Sequence, residues 1–216
     1  MTYQMAFIVF EGLDGSGKTT LMKRLAQRLD QDSISHIITR EPGGTPLGDE
    51  LREILLRKSG DTPSPRTELL LYEAGRAQHV DKKIRPALEA GQWVLCDRFT
   101  ASSMAFQAGG RVLDVADVEW LNQFATDSLK PHLFVLLDLT VEESIQRREG
   151  RQKETNTEAD RLESEKRDFH ERTRQGYLDE AKKEPARWLI LDAAQSPDEL
   201  FKRLTVKLQE MKLLEV

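Results

Sequence analysis

Residues Ala6-Phe7-Ile8-Val9-Phe10-Glu11-Gly12-Leu13-Asp14-Gly15-Ser16-Gly17-Lys18-Thr19-Thr20 decide how this chain folds. Positions 7–10 are an apolar run that predicts a buried strand, and Leu21, Leu25 and Leu29 mark one face of a helix over 20–29. Between them, positions 12–19 fit the pattern G-x-x-x-x-G-K-[ST]. Strand, glycine-rich turn and helix together make a phosphate cradle. The glycines let backbone N–H groups curl around anionic oxygens, and the helix N-terminus adds its partial positive charge. Gly12, Leu13, Asp14, Gly15, Ser16, Gly17, Lys18 and Thr19 are therefore expected to bind a nucleoside triphosphate, with Lys18 at its β/γ-phosphates and the Thr19 hydroxyl on Mg²⁺.

Outward from this loop, further apolar runs lie at 34–39, 93–96, 133–137 and 188–191. They are nearly continuous rather than alternating, the pattern of strands buried on both faces. The intervening segments are long enough for helical crossovers, which predicts an α/β fold with a parallel sheet and right-handed connections. The last helix carries a start signal, with Ser196 as N-cap, Pro197 next and Glu199 completing a capping box, and Leu200, Leu204 and Leu208 as its inward stripe. Ligands of such sheets collect beyond the C-terminal strand ends. That rule gathers 11–19, 40–44, 97–99, 138–140 and 192–195 into one neighbourhood.

Two segments stand apart. Residues 40–46 (Arg-Glu-Pro-Gly-Gly-Thr-Pro) form a rigid, helix-breaking turn at a strand end. Residues 147–161 mix Arg, Lys, Glu, Gly, Thr and Asn without apolar periodicity. Composition alone reads them as a surface loop, whereas phosphoryl transfer, which needs water excluded and charge neutralised, favours a mobile lid bearing Arg147, Arg148 and Arg151.

The 216 residues suit a single α/β domain over 1–216, and 38% apolar with 32% charged residues suit a soluble protein. A net charge of −5 argues against a nucleic-acid or membrane-surface binder. No apolar run reaches membrane-spanning length, and a charged-then-apolar leader is missing from the N-terminus. One cysteine, Cys96, fits a reducing cytoplasm and reads as a buried, inert thiol, and the four scattered histidines do not suggest zinc.

The third run ends in Asp97-Arg98-Phe99. Asp97 beside the phosphate loop can organise the water ligands of Mg²⁺, and Arg98 can grip a second phosphate. An ordinary strand-end ion pair is the plainer alternative. No Asn-Lys-x-Asp guanine reader occurs, so a GTPase is disfavoured, and transfer between nucleotides suits the strand end better than hydrolysis.

These residues carry a resemblance. Phe10 to Thr20, Arg40-Glu41-Pro42-Gly43-Gly44-Thr45, Leu70-Leu71-Tyr72-Glu73-Ala74-Gly75-Arg76, Asp97-Arg98-Phe99 with Ser102, Ser103 and Gln107, Asp160-Arg161-Leu162-Glu163 and Asp192-Ala193-Ala194-Gln195-Ser196 are similar to the bacterial thymidylate kinase family, among the P-loop nucleoside monophosphate kinases. The resemblance spans nearly the whole chain. It implies a three-layer P-loop fold, with five parallel strands flanked by helices and a lid about 147–161, in a homodimer. It also implies phosphorylation of dTMP to dTDP by ATP with Mg²⁺. By resemblance, Tyr72 stacks on thymine and Arg76 hydrogen-bonds its carbonyl at position four. Ser103 and Gln107 lie around the base edge, and Pro42 is in the dTMP site. Arg52 and Arg98 bind the monophosphate, although Arg52 could equally be a solvated helix residue. Asp14 matches a carboxylate that accepts from the sugar 3′-hydroxyl. Phe106 matches an aromatic, often tyrosine, near the sugar 2′ position, where packing alone would also explain it. The phosphate loop has no arginine between Gly12 and Gly17. For relatives of that kind the resemblance implies a catalytic arginine from the lid, here one or two of Arg147, Arg148 and Arg151. Residues 193–195 match the loop against adenine. The rival readings are another small P-loop nucleotide or deoxynucleoside kinase, and a non-catalytic nucleotide-binding protein.

Overall fold

Every apolar run contributes a strand that continues one residue into its polar end, although the run over 34–39 enters its strand only at His36. The strands are β1 (Phe7–Glu11), β2 (His36–Arg40), β3 (Trp93–Asp97), β4 (Leu133–Asp138) and β5 (Trp188–Asp192). The computed structural model describes residues 5–215. Within them the strands pair in parallel in the order β2-β3-β1-β4-β5. The extra residue of each strand is therefore a Glu, Arg or Asp lifted to the rim where ligands of such sheets collect.

Alternation along each strand sends side chains to two cores. Ile8, Phe10, Leu95, Val135 and Leu137 pack against α1 (Lys18–Gln31) and α9 (Pro197–Glu210) through Leu21, Leu25, Leu200, Leu204 and Leu208. Phe7, Val9, Val94, Cys96 and Leu136 face the opposite layer. There α3 (Pro65–His79) runs through a wide π-type turn at Val80–Ile84 into α4 (Arg85–Glu89). A similar wide turn, Met104–Gly110, continues α5 (Thr100–Ser103), and α8 (Arg167–Lys183) lies against it. Beside α3 stand α2 (Pro46–Leu56) and α6 (Val115–Thr126). The result is the expected three-layer arrangement.

Three details differ from the sequence expectation. The edge strands are not buried on both faces: Ile38 of β2 and Ile190 of β5 are 45% and 42% exposed, because only the central strands are covered from both sides. At Ser196 the hydroxyl accepts from the Glu199 N–H at 3.3 Å, but the full reciprocal box forms instead at Thr140 and Glu143, where α7 (Val141–Thr155) begins. That helix also absorbs the first half of the expected irregular segment 147–161. Its buried stripe is Val141, Ser144 and Arg148, so the periodicity is helical but is written largely in polar residues. Good helix formers carry α7 to a left-handed Asn156, and an irregular turn then leads to α8.

Candidate active site

At the rim two cavities share a wall. One is lined by Lys18, Thr19, Gly15, Gly17, Asp97, Arg147 and Arg151, and the other by Pro42, Tyr72, Arg76, Ser103, Phe106 and Gln107. Asp14, Glu41, Arg52 and Arg98 line both. The second chamber is lined by all the residues expected at the monophosphate, and the first by Asp14, Gly15, Gly17, Lys18 and Thr19 of those expected at the triphosphate.

The first chamber is the glycine loop. Gly12 holds φ at 132°, and a Cβ there would collide with the Leu137 carbonyl oxygen of the neighbouring strand, so the loop needs glycine. Gly17, at φ 95°, turns the chain into α1. Lys18 folds back and donates to the carbonyls of Gly12 and Leu13 at 3.0 and 3.1 Å. Burial and the nearby Arg98 guanidinium lower its pKa, so a polyanion in the chamber relieves a strained charge. The Thr19 hydroxyl donates to Asp97 Oδ2 at 3.5 Å. Two hard oxygens at the mouth of the loop fit Mg²⁺, whose remaining ligands are normally water and phosphate oxygens.

Arg98 stands on the shared wall with φ at 72°. Its Nη2 donates to Asp14 Oδ1 at 2.7 Å. Burial works to raise the Asp14 pKa, but Arg98 and Lys18 outweigh it and hold the carboxyl well below its ordinary range. Arg52 donates to the Pro42 carbonyl at 3.0 Å, which draws it into the cavity wall rather than into solvent. Burial and neighbouring Arg40 lower its pKa.

In the second chamber Tyr72 is half-buried, and burial, with Glu68 nearby, pushes its phenol up, so it stays neutral. Phe106 lies under Arg98, whose guanidinium carbon is 5.1 Å from the ring centre. Gln107 donates to Glu68 at 2.8 Å. Arg76 is 2% exposed and lies in a net of acceptors. Its Nε donates to Glu41, its Nη1 to Glu73, Ser103 and Asn122, and its Nη2 to the Phe99 carbonyl at 3.0 Å. His79 backs Glu41 at 2.9 Å. One Nη2 hydrogen of Arg76 is left uncommitted among the described residues. Arg76→Ala would strand two buried carboxylates, and we expect it to cost about 3–5 kcal/mol of stability, read as a large fall in melting temperature. A melt within a few degrees of the parent would contradict this.

Sequence reasoning missed Glu73 and Asn122 as Arg76 partners, Glu68 as the acceptor for Gln107 and Arg111 and the ion-pair partner of Arg161, and Tyr177 behind Arg98. The i,i+3 spacing of Glu73 and Arg76 on α3 was a usable signal. Asn122 and Tyr177 have none, because they arrive from α6 and α8.

The expected lid arginines divide. Arg147 donates to the carbonyls of Ala193 and Gly15 at 3.0 and 3.5 Å, joining α7 to the loop after β5 and to the glycine turn. Arg151 pairs with Glu163 on the same chamber's edge. Arg148 is buried and donates to the Glu163 carbonyl at 2.7 Å. It ties the turn after α7 and is not among the residues lining the first chamber.

A family model described as Thymidylate kinase matches residues 10–204. The chain belongs to the thymidylate kinase family. A thymidylate kinase from Bdellovibrio bacteriovorus is 58% identical over 214 residues, covering 99% of this chain and 100% of its own. One from Geotalea uraniireducens is 47% identical, covering 92% and 94%. One from Symbiobacterium thermophilum is 43% identical, covering 95% and 93%. Membership of the thymidylate kinase family agrees with the all-parallel sheet and its glycine loop, and the reading as an enzyme displaces that of a passive nucleotide binder.

Proposed function

We propose that this enzyme transfers the γ-phosphoryl group of ATP directly to dTMP, giving ADP and dTDP. The observation that carries the proposal is the wall of Asp14, Arg52 and Arg98 common to the two chambers, which lets two nucleotides meet phosphate to phosphate. The loop amides and Lys18 hold the donor once Lys18 exchanges its carbonyl partners for phosphate oxygens. Arg98 and Arg52 hold the acceptor phosphate, and Asp14 takes the sugar 3′-hydroxyl. Thr19 and Asp97 would hold Mg²⁺, which neutralises donor phosphate charge when bound. Arg147 and Arg151 offset charge on the moving group. The acceptor phosphate is already anionic near neutral pH, so no general base is needed, and catalysis is positioning plus electrostatics.

For the base, Tyr72 supplies a neutral stacking face, and the uncommitted Arg76 N–H suits a carbonyl at position four, which cytosine lacks. Ser103, Gln107 and Pro42 complete the pocket, and Phe106 fills the space a 2′-hydroxyl would need. A steady-state screen of monophosphates tests this. We expect dTMP to have the highest kcat/KM, and a clear preference for dCMP or AMP would overturn it.

We also propose a homodimer in the cytoplasm. Trp120 and Phe124 of α6 stack at 5.7 Å and are 62% and 73% exposed, and Leu70 is exposed on α3, the helix that packs against α6; a second copy would cover these apolar side chains. No helix among the described residues is long and apolar enough to cross a membrane. Phe124→Glu is expected to convert the dimer to monomer in light scattering, and a parent that is already monomeric would refute the assembly.

A further inference from the structure

Arg98 serves both chambers, yet the groups that fix its orientation lie behind it. The Tyr177 hydroxyl, on α8 and 1% exposed, accepts from Arg98 Nη1 at 2.8 Å and donates to Glu11 Oε2 at 3.0 Å. Ser102 Oγ lies 2.8 Å from the same hydroxyl and 3.4 Å from Arg98 Nη1. Glu11, fully buried at the end of β1, also accepts from the Phe99 N–H at 2.9 Å and from Ser102 at 2.7 Å. The Tyr177 ring packs edge-on against Phe106, whose face supports the guanidinium. With Nη1 held by Tyr177 and Ser102, and Nη2 by Asp14, the Nε–H and one Nη2–H of Arg98 are uncommitted among the described residues.

We propose that Tyr177, anchored by Glu11, is the positioning residue for the acceptor phosphate: its phenol oxygen sets the guanidinium plane of Arg98 so that the free N–H groups meet two phosphate oxygens. The inference rests on Arg98 being a monophosphate-binding residue. A long arginine side chain at a strand end has many rotamers, and bidentate phosphate binding needs one. Asp14 cannot supply that constraint alone. Its side chain is one-third exposed and is assigned to the sugar hydroxyl, so its bond to Arg98 is open to exchange when substrate binds. The Tyr177 hydroxyl belongs to a side chain only 1% exposed, and its bond to Arg98 persists. Because Glu11 directly precedes the glycine loop at Gly12, the same network joins the donor loop to the acceptor arginine.

Steady-state kinetics of the full chain test this. Tyr177→Phe keeps the ring and its packing and removes one oxygen. It is expected to raise the KM for dTMP about tenfold, the low end for a hydrogen bond to a charged group, and to leave the KM for ATP within about twofold. Glu11→Gln, which loosens the phenol from behind, is expected to raise the KM for dTMP in the same direction. In an Arg98→Ala background, Tyr177→Phe should add nothing further to the KM for dTMP, because its effect travels through Arg98. An unchanged KM for dTMP in both Tyr177→Phe and Glu11→Gln, or a fully additive effect in the double variant, would overturn the proposal. Arg98→Ala with an unchanged KM for dTMP would instead overturn the assignment of Arg98 itself.

Discussion

Lys18→Ala should cut kcat about a thousandfold while the protein remains folded, the loss expected when a preorganised donor to developing charge is removed. The ammonium has no other occupation that would sustain the fold. It is buried, repelled by Arg98, and hydrogen-bonded to two loop carbonyls that can turn to water when it is gone, while Asp14, 4.0 Å from it, keeps the closer Arg98 as a partner. In the proposed reaction its worth lies in being held at the floor of the chamber until phosphate replaces those carbonyls. An ADP-release assay with a thermal melt separates activity from folding. Turnover within tenfold of the parent would show that the donor phosphates lie elsewhere.

Removing both Arg147 and Arg151 should cost about three orders of magnitude or more in kcat, the scale of an arginine that offsets charge in phosphoryl transfer. The KM for dTMP should move little, since neither side chain lines the acceptor chamber. Both project from α7 onto the donor chamber, and their present partners, backbone carbonyls and the Glu163 carboxylate, are ones a phosphate can displace. Arg148→Ala should behave differently. It sits beneath the turn that follows α7, so its loss is expected to lower thermal stability more than kcat. A double variant with near-parental kcat, beside a severe kcat loss in Arg148→Ala, would reverse these roles.

Much of the arrangement could be read from the chain because its signals are local. The strand, glycine turn and helix over 7–31 are contiguous, and each apolar run stops next to the polar residue that reaches the rim. Local signals fail where a side chain's partner arrives from a distant element. Arg76 reads from the sequence as a base-recognising residue, but its setting is built from Glu41, Glu73 and Asn122, on the turn after β2, on α3 and on α6. Tyr177 reaches Arg98 across 79 positions of sequence. The segment over 147–161 misled for another reason: a helix that packs through Ser144 and Arg148 shows no apolar period, although a Thr140–Glu143 capping box marks its start.

In the proposed reaction donor and acceptor phosphates meet across Asp14 and Arg98, with the acceptor base held beside Tyr72. A crystal structure with dTMP and a non-hydrolysable ATP analogue tests it most directly. The thymine ring is expected against Tyr72, its 5′-phosphate on Arg98 and the terminal donor phosphate within reach of Lys18. Thymine bound away from Tyr72, or phosphates that do not meet at the Arg98 wall, would contradict it.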